Sequence, residues 1–407
     1  MIKKIYLLCF AWALVLQVSA QRYLKPTFDS VVVTPDVKYG FNYNFKGDST
    51  ELFLDIYEPY GDTVLARPLV VLAHGGSFLQ GSRKAQDISA LCTRLTKMGY
   101  VCVSIQYRLG VDVTSGKTLE QEFQQAVWRG AQDGRAAVRF MNKSIANGNA
   151  YRLDANQIYG GGISAGGVLG LHLAFLDAPS EVGTLVIDTN VVGGIEGNSG
   201  NAGYSWKIKG VINLCGALAN VNWINNNKNI SICNMHGTLD ATVPYKTAYF
   251  KIFGASVAIL QGSFSVDSAA QKQAIDTRLH TFVGADHVPF TGVTATQQMY
   301  MDTTVDYVAR YLYRHVTGLI PTAVLEQKKL RSSLLSYPNP AQTLLHVNGF
   351  EVGENTWSLY DLQGKLVLSK TSNELTETLD LSGFSRGTYV LITSSGANRQ
   401  QQKIVLN

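Results

Sequence analysis

The 407-residue sequence predicts an α/β fold, a mostly parallel sheet with helices on both faces, followed by a small all-β sandwich. Three observations carry this. From Leu52 to about His315, short β-rich apolar runs alternate with stretches of helical periodicity, the order that builds a parallel sheet covered on both faces. After Gly318 only short alternating runs occur, separated by turn residues. With 46% hydrophobic and 16% charged residues, the chain holds enough apolar side chains for one large core and a second, smaller one.

The strands of the first part are expected at Leu52–Tyr57, Leu69–Ala73, Val101–Gln106, Gln157–Gly160, Gly210–Leu214, Ile230–Met235 and Leu279–Val283. Helices are expected at Ala85–Lys97, Phe123–Asn142, Ala165–Phe175 and Thr303–His315, where apolar residues recur at helical spacing. Asp188–Ser205 is dense in Gly and Asn, lacks a period and reads as a long loop. In the second part, Leu344–Val347, Thr356–Tyr360, Leu366–Leu368, Thr378–Leu381, Thr388–Ile392 and Lys403–Leu406 alternate, with turns at Gln363-Gly364 and Arg386-Gly387.

The first 20 residues have the order of a secretory signal peptide: Lys3-Lys4, an apolar run from Ile5 to Leu16, then Val18-Ser19-Ala20. The run is shorter than the roughly 20 residues a bilayer span needs, and Gln21, not Cys, follows the expected cut, so neither a membrane span nor a lipid anchor is expected in the mature form. The domain plan is therefore a signal peptide at 1–20, an α/β domain at 21–318, a polar linker at 319–333 and a β-sandwich at 334–407. Net charge is +5, and loss of Lys3 and Lys4 lowers it to +3. The short Lys328, Lys329, Arg331 cluster suits a solvated linker, so no nucleic-acid partner is expected. Cys9 leaves with the signal; Cys92, Cys102, Cys215 and Cys233 permit three pairings that spacing does not rank, and buried free thiols fit equally well. None has the spacing of a metal site, and no cofactor is called for.

Three constellations carry chemistry. Gly162-Ile163-Ser164-Ala165-Gly166 lies between an apolar strand and an apolar helix, the setting in which a serine sits on a strained turn and small residues on either side avoid the neighbouring strand. Ser164 is the expected nucleophile. His74-Gly75-Gly76-Ser77-Phe78 follows the strand Leu69–Ala73, and its small residues allow backbone N–H groups to approach a developing oxyanion. The donors assigned by position are Gly76 and Ser77, joined by Ala165 after the nucleophile. His236-Gly237-Thr238-Leu239-Asp240 follows the strand Ile230–Met235 and offers Asp240 as the carboxylate that orients an imidazole. The base follows by elimination: His74 belongs to the glycine loop, His172 and His315 to helices, His236 to a strand end, His280 to a strand and His346 to the tail. His287, in Gly284-Ala285-Asp286-His287 after the strand Leu279–Val283, remains. Asp286 is a rival acid, disfavoured because adjacent side chains seldom meet.

With these residues in view, the stretch from Tyr39-Gly40 to His287 resembles the esterase/lipase branch of the α/β-hydrolase superfamily, through Leu52–Tyr57, Arg67–Val71, His74-Gly75-Gly76, Gly99-Tyr100-Val101, Tyr107-Arg108, Gly162–Gly167, His236–Pro244 and His287. Ser77 stands where many relatives have a third Gly, and Asp133 resembles an Asp those enzymes carry with a structural role. The resemblance implies a serine hydrolase of carboxylic esters, acting on a small-molecule or polymer-linked ester. The tail is similar to the C-terminal sorting domain of type IX secretion, through Tyr337-Pro338-Asn339-Pro340, Leu359–Gly364, Leu379–Ser382, Arg386–Tyr389 and Lys403-Ile404-Val405. That implies the type IX machinery as partner and an extracellular or outer-surface location. A serine peptidase on the same scaffold and a non-catalytic binding protein are the rival readings.

Overall fold

A computed structural model of the chain describes residues 22–183, 185–225, 229–252, 254–320, 336–348, 354–374, 376–395 and 398–407. The expected signal peptide, 1–20, and most of the expected linker lie outside the described residues. The chain forms two compact units, Met1–Pro321 and Thr322–Asn407.

The strands of the first unit are β1 (Val31–Tyr43), β2 (Ser49–Pro59), β3 (Arg67–Ala73), β4 (Val101–Ile105), β5 (Leu153–Ile163), β6 (Gly210–Leu214), β7 (Ala217–Leu218), β8 (Ser231–Gly237), β9 (Thr247–Ile252), β10 (Ala255–Gly262) and β11 (Thr277–Phe282). Eight of them form one sheet in the order β1-β2-β4-β3-β5-β6-β8-β11. From β4 to β11 every neighbour is parallel; β2 alone runs against the rest, pairing antiparallel with both β1 and β4. All of β3 and β4 are buried, as expected of parallel strands covered on both faces. Their side chains alternate between two cores. Val71, Ala73, Val103 and Ile105 face one, Val70, Leu72 and Cys102 the other.

The helices are α1 (Gln86–Thr96), α2 (Leu119–Ala146), α3 (Ala165–Phe175), α4 (Ser263–Lys272) and α5 (Ala295–Thr317). Capping boxes at Thr118/Gln121 and Thr294/Gln297 start α2 and α5, and Gly318, left-handed at φ 70°, ends α5. Every residue of α3 is buried, because the helix lies between the sheet and α2. It sits so low on β5 that a Cβ on Gly170 would stand 2.5 Å from the Gly161 Cα. The loop 188–205 contains one helical turn, Thr189–Val192, and is tied to α2. Trp128 Nε1 donates to the Gly193 carbonyl, Gln132 Nε2 to those of Val192 and Gly194, and Arg139 to those of Glu196 and Gly200.

Three features are absent from the strand-and-helix pattern read above: β1, the antiparallel group β7-β10-β9, and α4. β1 is an edge strand that is mostly exposed and carries two bulges, so it shows no apolar alternation. The four cysteines of the described residues are free and buried.

The second unit consists of two antiparallel sheets. Ser336–Tyr337, Leu344–Asn348 and Thr376–Asp380 form one, and Asn355–Tyr360, Leu366–Ser372, Gly387–Ser395 and Asn398–Leu406 form the other. Leu345, Val347 and Leu379 of the first pack with Trp357, Leu359, Leu391 and Ile404 of the second. This is the all-β sandwich expected after the α/β domain.

Candidate active site

Ser164 stands between β5 and α3 with φ 56° and ψ −116°, a left-handed conformation unusual for a residue other than glycine. The turn is held by Ser164 N donating to the Leu214 carbonyl at 2.7 Å and by Val168 N donating to the Ser164 carbonyl at 3.0 Å. The flanking glycines are required by one and the same carbonyl: a Cβ on Gly162 would lie 2.1 Å from Ala73 O, and one on Gly166 would lie 2.0 Å from it. The turn is thereby pressed onto the end of β3, where the next chain segment is His74–Phe78.

That segment passes directly over the serine, since a Cβ on Gly75 would touch Ser164 Cβ at 3.3 Å. Gly76, Ser77 and Phe78 all have positive φ, of 117°, 56° and 60°. Such a loop persists only where its surroundings hold it. Phe78 is fully buried and packs edge-on against Tyr107 and Phe123, with ring centroids 5.6 and 5.7 Å apart. Tyr107 stacks on His74 at 4.5 Å and donates its hydroxyl to the His74 carbonyl at 2.9 Å. Burial holds the His74 imidazole below its ordinary pKa, so it stays neutral in this packing. The N–H groups of Gly76, Ser77 and Ala165 donate no hydrogen bond within the described residues.

Ser164 Oγ lies 2.8 Å from His287 Nε2, and His287 Nδ1 lies 2.6 Å from Asp240 Oδ2. A carboxylate only accepts, so Nδ1 carries the proton and Nε2 is free to accept from the serine hydroxyl. Asp240 Oδ1 accepts from the N–H groups of Thr242 and Val243 at 2.9 and 2.8 Å. Burial pushes the Asp240 carboxyl upward, but hydrogen bonds from His236 and His287 outweigh it and hold it at about 2. The three side chains come from the turns after β5, β8 and β11, at the carboxyl ends of the parallel strands.

The other histidines lie where elimination placed them. His172 is buried in α3 with Nδ1 on the Val168 carbonyl, and burial pushes it down to about 4. His280 is on β11, His315 on α5, and His346 meets Thr378 in the tail. Asp286 does not face the His287 ring. Its Oδ1 accepts from the N–H groups of His287 and Ala241, clipping together the two turns that bear His287 and Asp240. Asp133 accepts from Arg108 N at 2.8 Å and from Ser199 Oγ at 2.6 Å, a buried tie between helix and loops.

Residues 54–241 match the BD-FAE family, and residues 336–407 match a secretion system C-terminal sorting domain. The chain has the α/β-hydrolase fold and carries a sorting domain. The chain is similar in fold to esterase 2 of Thermogutta terrifontis phosphorylated by paraoxon, with 19% identity over 73% of this chain and 98% of that chain and a TM-score of 0.50. The same values hold for that esterase phosphonylated by cyclosarin. A truncated carbohydrate esterase from gut microbiota is 17% identical over 69% of this chain and 97% of that chain, with a TM-score of 0.46. No curated protein matches the chain. The tail marks it for type IX secretion, toward the cell surface or beyond. Among the described residues no helix is long and apolar enough to cross a membrane.

Two features of the hydrolase were not legible in the motifs. Gly237 lets the turns that bear Asp240 and His287 touch, since a Cβ there would lie 2.3 Å from Ala285 O and 2.6 Å from Asp286 O. His236, read as part of a strand end, stands with Nε2 3.0 Å from Asp240 Oδ2. A polar residue four places before the acid is the only sequence signal of that contact.

Proposed function

We propose that this hydrolase cleaves carboxylic esters by a serine mechanism, with Ser164 as nucleophile, His287 as general base and Asp240 as the acid that orients it. The observation that carries the reading is the unbroken chain of short contacts Ser164 Oγ, His287 Nε2, His287 Nδ1, Asp240 Oδ2. Ser164 Oγ attacks the ester carbonyl carbon while Nε2 takes its proton, and Asp240 stabilises the imidazolium so formed. The N–H groups of Gly76, Ser77 and Ala165 hold the oxyanion. On collapse, the imidazolium returns its proton to the leaving alcohol oxygen. Water, deprotonated by the same nitrogen, then releases the acid from Ser164.

The proposed domain plan is a signal peptide at 1–20, a catalytic domain at 21–318, a linker at 319–333 and a sorting domain at 334–407. Export by that route puts the substrate outside the cell, as a small ester or one linked to a polymer such as a polysaccharide. A fold neighbour is phosphorylated by paraoxon, which recommends a phosphorylating probe for the test. A fluorophosphonate is expected to label the peptide that contains Ser164 and no other. Ser164→Ala and His287→Ala are each expected to lower turnover of a short p-nitrophenyl ester by on the order of 10⁴ to 10⁶. Peptide anilides should remain uncut. A Ser164→Ala protein that kept a tenth of the activity, or label at another serine, would overturn the reading.

A further inference from the structure

We propose that His236 is a positioning residue for this reaction, one that fixes and shares the charge of Asp240 together with His287. The inference rests on the triad reading above. Asp240 Oδ2 has two imidazole neighbours: His287 Nδ1 at 2.6 Å and His236 Nε2 at 3.0 Å. The side chains of His236 and Asp240 are both fully buried, whereas that of His287 is 20% exposed. One imidazole faces the substrate side, and the other is locked in the core.

The partners of His236 settle its tautomer. Nε2 also lies 3.1 Å from the Val243 carbonyl, which only accepts, so Nε2 carries the proton. Nδ1 lies 2.8 Å from Ser263 Oγ, at the start of α4. That hydroxyl in turn accepts from Asn213 Nδ2 at 3.0 Å, and the same amide donates to Asn234 Oδ1 at 2.8 Å. A buried polar chain thus runs from Asn234 and Asn213 through Ser263 and His236 to the carboxylate. Tyr245 packs edge-on to the His236 ring at 5.8 Å and ties its hydroxyl to Thr281. A packing role would need neither an N–H placed 3.0 Å from the Asp240 carboxylate nor a chain of polar groups to hold it.

The consequence for His287 has a sign. The His236 N–H spreads the negative charge of Asp240, so removing it leaves a carboxylate that holds the protonated His287 more tightly. Protonated His287 cannot act as base, and the rate would then fail at a higher pH. Asp286 on the His287 turn is engaged with Ala241 N and His287 N. Cys215 at the end of β6 is neutral, pushed up to about 12 by burial and then by the Asp240 charge. Tyr245 lies beyond His236.

Two amide substitutions separate the two ring nitrogens. His236→Asn places its amide where Nδ1 was, keeping the Ser263 contact and losing the one at Asp240. His236→Gln reaches the Nε2 position and restores a donor there. In the full chain, His236→Asn is expected to lower kcat by about tenfold or more with KM within about twofold, and to move the acid limb of kcat/KM upward by about half a pH unit or more. His236→Gln should keep the limb in place and kcat within about threefold. Both should melt somewhat lower. An Asn protein with wild-type kcat and acid limb, changed only in Tm, would leave His236 a packing residue and overturn the proposal. So would equal kcat losses in both variants with an unmoved limb. If the Asn protein does not fold, a Gln protein that folds with a more than tenfold loss refutes the idea, and one that retains kcat and the limb upholds it. His287→Ala in the same assay keeps the two readings apart, because activity there would sink the triad itself.

Discussion

Gly166→Ala tests the claim that the serine turn is pressed onto the end of β3. The added Cβ would lie 2.0 Å from Ala73 O, 2.5 Å from Ala73 C and 2.9 Å from His74 O. Carbon and oxygen settle no closer than about 3.3 Å, so about 1.3 Å must be found somewhere. It cannot come readily from β3. Ala73 is in register with Ile105 on one side and Gly162 on the other, and the Tyr107 hydroxyl holds the His74 carbonyl. The movable party is the first turn of α3, which carries Ser164. Overpacking of this kind costs about 1–3 kcal/mol, and a displacement near 1 Å at the reacting atom costs about 10² in rate. In a unit of this size that predicts a Tm lower by about 2–10 °C, together with a loss of kcat/KM of about a hundredfold. Differential scanning calorimetry and p-nitrophenyl acetate kinetics measure both. Gly183→Ala is the control, since that glycine has helical dihedrals and open space around its Cα. A Gly166→Ala protein with Tm within about 1 °C and kcat/KM within about threefold of wild type would refute the packing argument.

Asp240 should also be visible in acid stability. Its carboxyl is held at about 2 in the fold, below the roughly 3.9 of an unfolded aspartate, so its contribution is complete above about pH 5 and drains as the pH falls through 2. The difference in unfolding free energy between wild type and Asp240→Asn, from denaturant titrations at pH 5, 4 and 3, should shrink by roughly 1–2 kcal/mol over that range; a constant difference would contradict the depressed carboxyl. A chain ending at Gly318, the left-handed cap of α5, should keep kcat/KM and Tm and lose export past the outer membrane. Normal secretion of it by the native host, or a large loss of either quantity, would defeat the idea of a detachable sorting domain.

How far the fold could be read from the chain depended on burial. Strands enclosed on both faces, such as Arg67–Ala73 and Gly210–Leu214, are continuous apolar runs bounded by turns and were readable to within a residue or two. The helix Ala165–Phe175 was readable to the residue, because its apolar run starts at a motif with its own geometry. Val31–Tyr43 escaped because most of it is exposed and two bulges break its alternation. The hairpin Thr247–Gly262 escaped for a different reason. Tyr249 and Ile259 are half exposed while Phe250 is buried, stacked on Phe123 at 4.7 Å, so the cover that explains its pattern lies far away in the chain.

The site divides along the same line. Ser164 and the glycine loop were legible because strained turns restrict which residues fit, and that restriction is written locally as Gly162, Gly166, Gly75 and Gly76. Asp240 and His287 were found through chain order and exclusion, and their 2.6 Å meeting belongs to the fold alone. His236 marks the limit of that method. Elimination asks which histidine remains once the rest have structural places, and His236 has one, at the end of β8. A residue can hold such a place and still act on the chemistry when its neighbour four positions on is the proposed acid. What distinguishes the two cases is placement: its Nε2 meets a carbonyl and stands 3.0 Å from a carboxylate, and its Nδ1 meets a hydroxyl already oriented by Asn213. Strand, turn and helix from three separate stretches must be assembled before that placement exists. Composition and spacing name the groups proposed to react, but the groups proposed to orient them are specified by the packing.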